Sequence, residues 1–185
     1  MGVAVVVSGT PGTGKSRIAL ELVKKLNGLY LNLSEVALRN NFILEKDLKR
    51  DSYVIDEDRL KAYLIEVLKS SSGYVVIDSH YGEIVPDEYV ERIFVLRLNP
   101  RELYLRLKQR GWDELKVKEN VEAELLGVCT YNALEEHPQS KVCEVDVTGK
   151  GVDEVVHELI DVLEGRRPCY VGIDWLSEDI LAEIQ

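Results

Sequence analysis

"GTPGTGKS", Gly9 to Ser16, lies between a run of strand length, "VAVVV" from Val3 to Val7, and a stretch with helical spacing, Ser16 to Leu26, whose apolar positions are Ile18, Leu22, Val23 and Leu26. The eight residues satisfy G-x-x-x-x-G-K-[ST] in full. A strand before it and a helix after it are the context in which that pattern holds a polyphosphate rather than making a chance glycine turn. Glycines at 9, 12 and 14 free the backbone to turn successive N–H groups toward phosphate oxygens, and the helix N-terminus adds positive partial charge. The expected cradle runs from Gly12 through Thr13, Gly14, Lys15, Ser16 and Arg17. Lys15 is expected to reach the β and γ phosphates of ATP, and the Ser16 hydroxyl to ligate Mg2+.

Outward from this loop, apolar runs alternate with amphipathic stretches, the order of an α/β domain with a mainly parallel sheet. The expected strands are residues 3–8, 29–33, 74–79, 92–98 and 141–147. Helices are expected over Ser16 to Leu26, after an Asp56 cap, after Asn99-Pro100 until Gly111, over Val117 to Leu134, and over Val152 to Leu163. The 185 residues, 45% hydrophobic and 30% charged, suit one globular domain with no apolar run long enough to span a membrane. No secretory leader is evident, and a cytoplasmic location is expected. The three cysteines, Cys129, Cys143 and Cys169, are odd in number and widely spaced, so they are expected to be packing thiols. A net charge of −10 disfavours direct nucleic-acid binding and suits a basic protein partner.

Two further elements point at the loop. Asp78 closes "YVVID" at the carboxyl end of a strand, where ligands of open α/β sheets bind, and is placed to hold a water on magnesium; the plainer alternative is a turn-starting aspartate. His80, two residues on, would orient a water or the γ phosphate, unless it is an ordinary surface histidine. Between Arg97 and Lys118 stand seven basic residues against three acidic ones. Arg106 and Arg110 share a helix face there and would close over a polyphosphate; otherwise they form a solvated face paired with Glu102.

The loop, the absence of a guanine-reading N-K-x-D motif, an insertion between the second and third expected strands and the arginine-bearing segment resemble a nucleoside monophosphate kinase. "IDEDR" (55–59), "VVIDSHYG" (75–82), "IFVLRL" (93–98) and "YLRLKQRGWDELKVKEN" (104–120) bring the resemblance closer to the adenylate kinase isoenzyme six family, also called the coilin-interacting nuclear ATPase family, over about residues 3 to 165. That resemblance implies a P-loop NTPase fold of nucleoside monophosphate kinase type, with a mainly parallel five-stranded sheet flanked by helices. It implies Mg-ATP as cofactor, AMP or water as acceptor, and Lys15, Asp78 and His80 as the catalytic group.

Residues 34–57 would be a helical monophosphate-binding insertion carrying Arg39, residues 111–121 a short lid, and residues 166–185 a tail with an amphipathic pattern that packs on the domain. The implied partner is the basic platform protein of the small ribosomal subunit, of S-eleven type, with nucleic acid met only through the pre-ribosome. The Asp-Ser-His turn stands where ordinary adenylate kinases carry an AMP-holding arginine. Three readings therefore stay open: a metabolic phosphotransferase, a nucleotide-switched assembly factor, and a small-molecule kinase of shikimate-kinase-like type.

Overall fold

The computed structural model describes residues 1–47 and 52–176. In chain order these form β1 (Gly2–Gly9), α1 (Lys15–Leu26), β2 (Leu29–Asn32), α2 (Leu33–Arg39), β3 (Ile43–Asp47), β4 (Ser52–Ile55), α3 (Glu57–Ser70), β5 (Gly73–Asp78), β6 (Val90–Arg97), α4 (Pro100–Gln109), α5 (Glu114–Leu125), α6 (Val128–Glu136), β7 (Val142–Asp146) and α7 (Val152–Leu163). The main sheet has the order β2-β5-β1-β6-β7, every pairing parallel. This is the expected fold, a five-stranded parallel sheet flanked by helices.

Because β1 is central, both of its faces are covered from Ala4 onward, which is why Ala4 to Val7 reads as a continuous apolar run rather than an alternating one, with only Val3 at its start exposed. Val5 and Val7 pack with Leu22, Phe94, Leu103, Leu107 and Leu159 on one side; Ala4 and Val6 pack with Leu60, Leu64, Leu68, Val75 and Ile77 on the other. Each such large side chain, fully removed from water, contributes about 1.5–3 kcal/mol. Parallel strands place their carboxyl ends together, so the loop after β1 and the turn after β5 meet at one sheet edge. Among the described residues no helix is long and apolar enough to cross a membrane.

Four features differ from the sequence expectations. The insertion is only partly helical. α2 is capped by Asn32, whose side chain accepts a hydrogen bond from the Glu35 amide, but β3 and β4 then pair as an antiparallel two-stranded sheet. Charged Glu45, Lys46 and Asp47, beside exposed Leu44, Tyr53 and Val54, hide the period-2 alternation by which a half-buried strand is recognised. Residues 48–51 of the insertion lie outside the described residues.

The expected single helix from Val117 to Leu134 is two helices, α5 and α6, parted at Gly127. Gly127 takes φ +65°, and a Cβ there would meet the Arg97 guanidinium at 3.3 Å. The Glu124 carbonyl, which would otherwise continue the helix, accepts Arg97 Nη2 at 2.8 Å and the Gly127 amide at 3.1 Å. Arg97 is therefore no part of a phosphate-seeking segment. It is 2% exposed and ion-paired to both Glu124 (Nε to Oε1, 2.8 Å) and Glu144.

The cysteines are corrected as well: Cys143 and Cys169 are joined as a disulfide with Cα atoms 5.2 Å apart, and Cys129 is free. Chain spacing does not reveal this, because the segment after α7 returns beside β7, where the Glu144 amide donates to the Tyr170 carbonyl at 2.7 Å. Alkylation of the unfolded, unreduced protein should label Cys129 alone, with Cys143 and Cys169 labelled only after reduction. Three labels without reductant would refute the bond.

Residues 171–176 are without helix or strand. Glu144 Oε2 accepts the Gly172 and Ile173 amides, and Trp175 Nε1 donates to Glu124 Oε1 at 3.3 Å. The amphipathic pattern beyond residue 176 lies outside the described residues.

Candidate active site

Gly12 carries φ +105°, and a Cβ on it would press to 2.7 Å from the Leu103 side chain, so the loop's path is open to glycine only. Within the loop the Thr10 carbonyl is the common acceptor: it takes Thr13 Oγ1 at 2.9 Å, the Thr13 amide at 3.3 Å and Lys15 Nζ at 3.1 Å. Burial pushes the Lys15 ammonium below its ordinary range, and nearby Asp78 and Glu124 oppose that shift. A cation held on one carbonyl, with little water around it, is ready to exchange that partner for phosphate oxygens. Ser16 and Arg17 follow on the first turn of α1, both exposed, with Gly14 as its N-cap residue.

Asp78 ends β5 directly beside Asn32 of β2, its register partner. Its Oδ2 accepts Tyr30 Oη and Asn32 Nδ2, each at 2.8 Å. Burial, then the hydrogen bond to this carboxylate, push the Tyr30 hydroxyl up to about 12. Both of these bonds fall on one oxygen, which leaves Oδ1 its lone pairs for a metal-bound water. The two partners were not foreseen from the sequence. Their signal was positional: "LYLN" ends a parallel strand level with "YVVID", so their terminal polar side chains must meet.

His80 sits in the turn after β5, its ring packed edge-on against Tyr81 at 4.5 Å and still exposed to the cleft. Burial by the site's walls, then the Lys15 charge, push the imidazole down to about 4, which leaves it neutral at pH 7. The neighbouring Cys129 thiol is no competing nucleophile, since burial pushes it up to about 11.

Two cavities flank the loop. One, of about 430 Å³, is lined by Gly12 to Gly14, Arg17, Arg106, Arg110 and residues of the β7–α7 connection. Arg106 donates to the Gly12 carbonyl at 3.3 Å while ion-paired to Glu102 at 2.5 Å, so it reaches the loop without giving up its helix partner. Arg110 also lines the small recess over Lys15 and Ser16.

The second cavity, of about 630 Å³, lies on the far side between β4, the turn after β5, α5 and α6. Tyr53, Tyr81 and Trp112 give it aromatic walls, and Lys116 lies over the Trp112 ring at 4.5 Å from its centroid. The structure thus brings Gly12 to Arg17, Asp78, His80, Arg106 and Arg110 around one loop. It does not bring Arg39, which lies exposed on α2, paired with Glu35 at 3.1 Å, and lines neither cavity.

For magnesium, the residues present suit a small hard cation that keeps most of its waters: the Ser16 hydroxyl would be a ligand, and the Asp78 carboxylate would hold a bound water. Among the described residues no cluster of three His, Cys, Asp or Glu side chains offers an all-protein metal cage.

A family profile described as an AAA domain matches residues 5–127. Proteins named "Putative adenylate kinase" are 37% identical in Methanococcus maripaludis, over 94% of this chain and 96% of that protein, and 37% identical in Pyrococcus furiosus, over 92% and 90%. Among solved structures, shikimate kinase from Bacteroides thetaiotaomicron superposes with TM-score 0.60 at 16% identity, over 88% of this chain and 98% of that one. Thymidylate kinase from Candida albicans gives TM-score 0.55 at 17% identity, over 89% and 92%.

Proposed function

The chain belongs to the adenylate-kinase-like family of P-loop proteins, and from that premise we propose that it binds Mg-ATP at Gly12 to Arg17 and passes the γ phosphoryl to AMP or to water. The carrying observation is the convergence of the Lys15 loop, the Asp78 carboxylate and the His80 ring at one sheet edge between two cavities. The first cavity would take base and ribose beside Arg106 and Arg110, and the second would take the acceptor. Ser16, and Asp78 through a bound water, would hold the magnesium, which would supply positive charge to offset that of the phosphate oxygens. The chain's own part is positioning and charge stabilisation: Lys15 and the two arginines act on the transferring group, and neutral His80 orients an acceptor oxygen. Residues 111–121 would serve as the lid, with Trp112 and Lys116 on its cavity side.

The acceptor cavity bears on which reaction dominates. Glu57, Glu83 and Glu119 line it, against Lys116 as its one lysine or arginine among the described residues. Among the described residues this lining offers a monophosphate dianion little positive charge, and Arg39 would have to leave Glu35 to add to it. Transfer to water has no such requirement. This favours an ATPase cycle of the isoenzyme six type over fast AMP phosphorylation. The acidic chain would then serve a basic small-subunit ribosomal protein, with ATP binding and hydrolysis switching its affinity in the cytoplasm. The second reading, a small-molecule kinase of shikimate-kinase-like type, would place a different acceptor in the same cavity.

The test is product accounting with Mg-ATP, with and without AMP. Two ADP formed per AMP consumed, with flat phosphate, identifies a kinase; phosphate without AMP identifies the ATPase; no product refutes the reading. His80→Ala should lower phosphate release by roughly 10²-fold while leaving ATP affinity unchanged. Equal hydrolysis at saturating Mg-ATP would remove His80 from the mechanism.

A further inference from the structure

We propose that Glu124 is a positioning residue for the phosphate loop, holding it through the Thr10 hydroxyl. Thr10 Oγ1 donates to Glu124 Oε2 at 2.6 Å, with both residues buried, at 2% and 1% exposure. A short hydrogen bond to an ionised acceptor, closed to water, is among the stronger and more directional contacts a side chain makes. Nothing in the loop motif calls for it, because the residue after the first glycine is unspecified in the pattern.

The anchor is itself fixed. Glu124 Oε1 accepts Arg97 Nε at 2.8 Å, the Leu98 amide at 3.0 Å and Trp175 Nε1 at 3.3 Å, and its own carbonyl accepts Arg97 Nη2 at 2.8 Å. Arg97 is ion-paired onward to Glu144, which also accepts Thr130 Oγ1 at 2.7 Å. The carboxylate that grips Thr10 is therefore tied to the end of β6, to the last turn of α5 and to the segment that follows α7.

What Thr10 holds in turn explains why its position matters. Its carbonyl bonds Thr13 and Lys15. When a polyphosphate draws Lys15 away, the Thr13 bonds and the Glu124 bond remain, so the loop keeps its shape across the exchange. A loop ordered before its ligand arrives loses less conformational freedom on binding, and that difference reaches the affinity. Glu124 touches no nucleotide on this account; it acts through Thr10. The inference rests on the reading that the loop binds Mg-ATP.

Glu124 is a poor target for substitution, because removing it takes away one of the two carboxylates that balance the buried Arg97 and leaves the Leu98 amide without its acceptor. Thr10 tests the same contact from its other end. Thr10→Val keeps the volume and branching and deletes the hydroxyl; Thr10→Ser keeps the hydroxyl and deletes a methyl. The measurement is direct titration with Mg-ADP and with a non-hydrolysable Mg-ATP analogue, beside thermal unfolding of the nucleotide-free proteins. Thr10→Val should bind both nucleotides about tenfold more weakly, and Thr10→Ser should stay within about twofold of the unaltered protein.

A purely packing role predicts the reverse order, since valine fills the site better than serine. Equal affinity for all three proteins, or a serine variant weaker than the valine one, would overturn the assignment. Absence of binding by the unaltered protein would overturn the nucleotide reading and this inference with it.

Discussion

Lys15→Ala should lower kcat/KM for phosphoryl transfer, to AMP or to water, by about 10³-fold or more, a loss of about 4 kcal/mol of transition-state stabilisation. The lysine is the one long cation rooted inside the loop, and its bond to the Thr10 carbonyl shows that its ammonium already sits over the loop before any nucleotide binds. The transferring group spreads negative charge over its oxygens, and a point charge on the β and γ oxygens acts where that charge is greatest.

The fold should not suffer. Lys15 opens α1, where alanine is at least as good a helix former, and burial already disfavours its charge. The nucleotide-free variant should melt at or slightly above the unaltered protein, which separates lost chemistry from lost structure. A variant that turns over undiminished would show that the phosphate lies elsewhere.

How far this site can be read from sequence depends on the range of the interactions that build it. The β1–loop–α1 unit is local: a run buried on both faces, glycines at fixed offsets and a helix with one apolar stripe, all within Gly2 to Leu26. Asp78 and His80 are nearly as legible, because a parallel sheet puts every strand's carboxyl end on one edge. The structure adds what depends on pairing between distant segments. Tyr30 and Asn32 become partners of Asp78 only through the β2–β5 register.

Arg97 shows the limit most clearly. Counted along the chain it joins a basic stretch, yet it ends a central strand whose side chains are buried, and two glutamates 27 and 47 residues away meet it there. Composition over a window cannot separate a charge facing solvent from one facing an interior partner. The same holds for Cys143 and Cys169, 26 residues apart and adjacent only because the chain returns beside β7. The exposed β3–β4 pair escapes for the opposite reason: too little of it is buried to imprint a period on its residues.

Asp78→Asn should cost about as much as loss of the lysine, roughly 10²–10³-fold in kcat, while leaving the shape of the site intact. The carboxylate has one oxygen engaged by the protein and, on the proposed reading, the other given to a magnesium-bound water. Oδ2 accepts from Tyr30 and Asn32. An asparagine carbonyl replaces it there with little change, so the side chain keeps its orientation and the protein should lose no more than about 1–2 kcal/mol of stability. That same orientation turns Nδ2, a donor, to the position where Oδ1 was an acceptor. A water bound to magnesium donates its protons outward, and it meets an amide that also donates.

The loss should therefore show in magnesium dependence rather than in the protein alone. Titrated with ATP in the presence of a chelator, the variant and the unaltered protein should bind alike; titrated with magnesium at fixed ATP, the variant should need at least tenfold more metal to reach half-maximal rate. Equal magnesium curves would place the metal away from Asp78 and reduce this carboxylate to a strut between β2 and β5.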